Sequence, residues 1–138
     1  MIPVEALKLS HLLFDQMLTY AREALPMEAV GLLGGHSNGR VLSVLPLTNV
    51  AAPEQFLADP FDQFKAERQL SRNGLSLLAI YHSHPGGGTQ LSASDCSLIF
   101  NRSLLQVVIA LARPGQVDEV RAYYLNEGTP LLIDILLD

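Results

Sequence analysis

Apolar residues recur along this chain with two periods, and the alternation between them predicts its elements. Residues 4–9 alternate apolar and polar positions as a half-buried strand does. Ser10 then offers a hydroxyl to cap a helix, in which Leu13, Met17, Tyr20, Ala21 and Ala24 recur at helical spacing until Pro26 ends it. Residues 29–35 read as a strand, His36 to Gly39 as a hairpin turn, and residues 40–49 as the returning strand. Asp59 and Pro60 open a second helix as cap and first helical residue, running to about Ser71, with Asn73-Gly74 closing it. Residues 75–81 form a continuous apolar run, the pattern of a strand buried on both faces.

After that run come His82 and His84, a loop containing Gly86, Gly87 and Gly88, and then Ser92 as the cap of a third helix. Strands are expected again near residues 106–112 and 119–125, and the tail, residues 131–136, offers one more. The apolar tail either pairs with another subunit as an edge strand, making a homodimer, or covers its own core; the pattern leaves both open. Strands interleave with helices and several joins are hairpin-like. The fold class is therefore α/β (α+β): a mixed sheet flanked by helices, in a single domain spanning residues 1–138.

Composition narrows the functions. With 138 residues, 49% hydrophobic and 17% charged, the chain suits one globular core and not a disordered segment. A net charge of −5, with no cluster of Lys or Arg, argues against nucleic acid as the partner. No apolar run approaches the ~20 residues that span a bilayer, and the N-terminus has no signal-peptide pattern. The one cysteine, Cys96, makes no internal disulfide, so a reducing, cytoplasmic setting is expected.

The chemistry concentrates in His82-Ser83-His84-Pro85, followed after six residues by Ser92-Ala93-Ser94-Asp95. Residues two apart on a strand point the same way, so His82 and His84 reach one ion together. Pro85 holds His84 extended. Asp95 comes from the first turn of the next helix, whose positive end keeps a carboxylate ionised. Two imidazoles and one carboxylate give a divalent metal three ligands and leave a fourth position for water, the open shell of a catalytic zinc site. Ser83 faces the other side of the strand and reads as structural. Cys96 points about 100° away from Asp95 on a helix and reads as core. His11 and His36 read as surface residues.

These residues, with Glu28-x-x-Gly31-Leu32-Leu33-Gly34 upstream, resemble the JAMM (MPN+) metalloprotease family in its compact prokaryotic form. The resemblance implies a curved mixed sheet akin to the cytidine deaminase fold. It implies His82, His84 and Asp95 as ligands of one zinc ion per chain, and Glu28 as the proton acceptor and donor. It also implies Ser92 as a hydrogen-bond donor to the oxyanion. The implied activity is hydrolysis of the amide after the C-terminal Gly-Gly of a ubiquitin-like or sulfur-carrier protein, including release of cysteine from a carrier adduct. The alternative is a catalytically silent MPN-type protein-binding module. A zinc deaminase needs cysteine ligands that this chain lacks. A peptidase for phage-tail or cell-wall material is a further reading, disfavoured by the lack of a signal peptide. The three glycines after Pro85 depart from the bulkier residues common in the family, and suggest a flap or close backbone approach.

Overall fold

The computed structural model describes residues 4–51, 55–92, 104–113 and 116–138. Its centre is a seven-stranded mixed sheet in the order β1-β7-β6-β5-β4-β2-β3. In chain order the elements are β1 (Ala6–Leu9), α1 (His11–Glu23), β2 (Val30–Gly35), β3 (Val41–Leu47) and α2 (Pro60–Arg72). Then follow β4 (Ser76–Pro85), β5 (Leu105–Leu111), β6 (Glu119–Asn126) and β7 (Thr129–Leu137). Pairing is parallel between β1 and β7 and between β4 and β5, and antiparallel elsewhere.

Both helices begin where their caps stand. The Ser10 hydroxyl accepts from the Leu13 amide at 3.1 Å. The Asp59 carboxylate accepts from Phe61 and Asp62, with Pro60 in the first turn where no amide is required. The third helix expected after Ser92, and with it Asp95 and Cys96, lies outside the described residues.

The helices take opposite faces of the sheet. Met17 and Ala21 of α1 pack into the main core with Leu33, Tyr81, Val107 and Ile109. Strand alternation turns Val30, Ile80 and His82 to the other face, where Phe56 and Ala58 join Val30 and Ile80 in a smaller cluster. Leu70 of α2 lies over Gly34, where an added Cβ would strike its side chain. Gly31 is required for the same reason on the α1 face: a Cβ there would collide with the ring and hydroxyl of Tyr81.

One expectation changes, and one that was left open finds its answer. The strand expected over residues 75–81 continues through both histidines to Pro85, because its parallel ladder with β5 persists to Pro85–Leu111. The β2 ladder ends at Val30–His82, so the edge of β4 beyond it has no β2 partner and tolerates a proline. The tail pairs within its own chain. Its first half pairs with β6 and its second half with β1, so the pairing is intramolecular along its length. The remaining sheet ends approach each other, since Lys8 bridges to Arg40 at the start of β3 and its amide donates to Gly39 at 2.9 Å. Arg40 clamps this seam with a two-pronged contact to Asp138 at 3.0 and 2.6 Å. The result is a nearly closed, curved sheet, as the resemblance implied. Among the described residues, no helix is long and apolar enough to cross a membrane.

The Tyr81 hydroxyl is buried without a hydrogen-bond partner among the described residues, and burial pushes its pKa well above the ordinary phenol value. Gly31→Ala therefore lowers stability by ~1–3 kcal/mol through overpacking. Tyr81→Phe, which deletes the unpaired group, raises stability by about 1 kcal/mol. Urea-unfolding midpoints at constant slope check both, and a destabilised Tyr81→Phe would reveal a bond that the hydroxyl makes.

Candidate metal centre

The site grows out of the central strand. His82 and Ser83 are wholly buried and His84 half-buried, because β4 is flanked by β2 and β5 at His82 but only by β5 at its end. Ser83 faces away from the histidines, as expected, and grips the chain beside Glu28. Its amide donates to the Ala29 carbonyl at 3.0 Å, and its hydroxyl accepts from the Ala29 amide at 2.7 Å. That pair of hydrogen bonds sets Glu28, itself only 6% exposed, beside the histidine pair. One ligand atom from each of Glu28, His82 and His84 lies within 4.8 Å of the others.

The two imidazoles converge. His82 Nε2 and His84 Nε2 are 3.1 Å apart, with the rings inclined at 61°. His84 Nδ1 lies 2.8 Å from the Gly88 carbonyl, which can only accept. The proton therefore sits on Nδ1, and Nε2 turns a lone pair towards His82. This arrangement fits a metal ion. Two nitrogens on a tetrahedral ion at ~2.0–2.1 Å stand roughly 3.3 Å apart, and a ligand histidine ordinarily gives its other N–H to a carbonyl or carboxylate.

Two residues outside the motif hold this geometry. Phe56 is buried and stacks on His82, with ring centroids 4.1 Å apart and planes 17° from parallel. Asn49 fixes the loop that carries Phe56. Its amide nitrogen donates to the carbonyls of Glu28 and Gln55, each at 2.9 Å, and its oxygen accepts from Ala51 at 2.9 Å and Leu57 at 3.0 Å. Asn49 thus ties the backbone of Glu28 to the segment bearing Phe56. The sequence reading passed over both residues. A lone aromatic in a loop and an Asn at the end of a strand are weak signals, and their targets lie far off in the chain.

The other candidates fall as follows. Ser92 is exposed at the end of a loop anchored by His84–Gly88 and by the Tyr123 hydroxyl, which donates to the Thr89 carbonyl at 2.7 Å. His11 and His36 are exposed, as expected of surface residues.

A mixed sheet with two convergent histidines and a buried glutamate defines a metallohydrolase-type domain. Residues 11–126 match the model of the prokaryotic homologues of the JAB domain, and the chain belongs to that family. It is 42% identical over 117 residues to a probable TtuB-protein conjugate cleaving protease of Thermus thermophilus, covering 83% of this chain and 72% of the relative. It is 28% identical over 118 residues to the CysO-cysteine peptidase of Mycobacterium tuberculosis, covering 84% and 80%. A solution structure of a Desulfitobacterium hafniense protein superposes with a TM-score of 0.87 at 35% identity, covering 96% of this chain and 92% of that one. At the level of fold alone, a JAMM structure described as a metalloprotease-like zinc site in the proteasome and signalosome gives 0.57 at 18% identity, covering 95% and 98%. The chain is a hydrolase of this peptidase family, with a Glu-His-His group able to hold a metal ion.

Ser83→Ala leaves the Ala29 amide buried without its acceptor and costs ~1–3 kcal/mol, read from urea unfolding. Phe56→Ala frees the His82 ring and weakens metal affinity about tenfold, read by competition with a chromogenic chelator. Unchanged affinity would show that the ladder alone orients His82.

Proposed function

We propose that the chain is a zinc-dependent peptidase or isopeptidase that hydrolyses the amide after the C-terminal Gly-Gly of a ubiquitin-like or sulfur-carrier protein. The observation that carries this reading is the 3.1 Å convergence of the His82 and His84 nitrogens beside Glu28. His82 and His84 would hold the ion with Asp95 as third ligand, a donor set that suits zinc. When bound, zinc polarises the carbonyl under attack and brings the pKa of a water to about 7.

The protein's own groups do the rest. Glu28, held by the Ser83–Ala29 and Asn49 contacts, accepts a proton from the attacking water and passes it to the leaving amine. Ser92 donates a hydrogen bond to the oxyanion of the tetrahedral intermediate. The substrate class is supported by two relatives, one named for cleaving TtuB–protein conjugates and the other for acting on CysO-cysteine. One cysteine in 138 residues suits work in a reducing cytoplasm. A silent binding module would be expected to have lost part of this constellation, whereas Glu28, His82 and His84 stand together.

The test is incubation of zinc-loaded protein with a Gly-Gly-tailed carrier extended by a few residues, followed by intact mass. Wild type removes the extension, chelator abolishes cleavage, and Glu28→Gln binds metal but does not cleave. Ser92→Ala slows turnover by roughly 10²–10³-fold. Stoichiometric zinc with no cleavage of any Gly-Gly carrier would favour the binding module.

A further inference from the structure

The segment that leaves β4 has little of its own to hold it in shape. Pro85 is followed by Gly86, Gly87 and Gly88, and Gly86 takes a φ of +71°, which a residue with a side chain rarely adopts. Glycine loses more backbone freedom on ordering than any other residue, so three in succession are costly to fix. Local bonds hold only the start: the Gly86 amide donates to the Leu111 carbonyl and the Gly87 amide to the His84 carbonyl, each at 3.2 Å. Ser92, the oxyanion donor of the peptidase reading, stands at the far end of this segment. Its placement depends on what fixes the chain in between.

Past the turn, two successive carbonyls are caught. That of Gly88 lies 2.8 Å from His84 Nδ1, and that of Thr89 accepts from the Tyr123 hydroxyl at 2.7 Å. The first bond belongs to the metal centre. The second comes from β6, 34 residues further along the chain. Tyr123 lies opposite Gln106 of β5, which lies opposite Ile80 of β4, and alternation puts all three on the face that carries His82. Two strand spacings, roughly 10 Å, separate β6 from β4, so the segment crosses β5 to meet the hydroxyl. Tyr123 is only 9% exposed and sits in a paired strand, which makes it a fixed point.

The glycines and the tyrosine answer each other. A Cβ on Gly87 would stand 3.1 Å from the Cβ of His84, so the turn passes that histidine closely because it is bare. Bare backbone gives no stiffness, and the anchor that supplies it comes from a distant strand. Thr89, whose carbonyl is held, precedes Ser92 by three residues.

We propose that Tyr123 is a positioning residue for the reaction: by holding the Thr89 carbonyl, its hydroxyl sets the course of the chain to Ser92 and with it the place of the oxyanion donor. The inference rests on the peptidase reading and deepens it. Tyr123 acts through the loop and not on the substrate. The oxyanion exists only once water has added to the carbonyl, so a displaced Ser92 is felt in turnover and not in substrate binding.

Tyr123→Phe keeps the ring and deletes only the hydroxyl, and two readouts follow it. With zinc-loaded protein and an extended Gly-Gly carrier, kcat falls about five- to tenfold while KM stays the same. In a Ser92→Ala background the same substitution has no further effect, because the group it positions is gone. An unchanged kcat, or an equal loss in both backgrounds, would overturn the inference. The second readout needs no turnover: backbone order parameters from amide relaxation fall over residues 86–92 in Tyr123→Phe and stay constant along β5. Unchanged order in the loop would overturn the inference as well. If wild type cleaves no such carrier, the peptidase reading falls and takes the oxyanion role with it, while the relaxation data still decide whether Tyr123 sets the path of the segment.

Discussion

Two hydrogen bonds between Ser83 and Ala29 hold the site together. They join residues 54 apart in the chain and do so in the buried centre of the sheet, where unmade bonds are costly. Each partner has a chemical residue next to it: His82 and His84 flank Ser83, and Glu28 precedes Ala29. A serine with no chemistry of its own thereby sets the distance between the carboxylate and the imidazoles. The same placement explains why β4 is central, since only a strand paired on both sides presents His82 rigidly enough for its nitrogen to meet that of His84.

Around this clamp the site is held from two directions. The loop from β3 to α2 brings Phe56 flat against His82, and Asn49 binds that loop to the Glu28 carbonyl. The loop after β4 sends the Gly88 carbonyl to His84 and hangs from Tyr123 through Thr89. Each histidine is therefore oriented by a different loop. Movement of either loop on binding a substrate would be felt at one ring and not equally at the other.

Much of this was readable from residue order. The caps Ser10, Asp59 and Pro60 mark helix starts because their chemistry is local and acts within three residues. His-x-His at the end of an apolar run is equally local, since the strand period alone puts both rings on one side. What escaped the reading depends on contacts distant in the chain. Asn49 meets Glu28 and Phe56 meets His82, pairings that no spacing announces. Gly31 is legible as a small residue, but the Tyr81 ring it admits is known only once the register of β2 on β4 is set. The tail was left open for a related reason. An apolar strand looks the same whether its partner is another subunit or the other end of its own chain.

The seam between β1 and β7 has a consequence for how the protein is made. Residues 6–9 find their partners in residues 134–137, almost the whole length of the chain away. A ribosome delivers the first strand long before the last, so β1 emerges with no parallel neighbour to pair with. The sheet closes only after synthesis has passed Leu137. Until then Leu7 and Leu9, which are buried in the finished fold, are exposed to the cell. The long separation between the two partners makes this closure a late and slow step of folding.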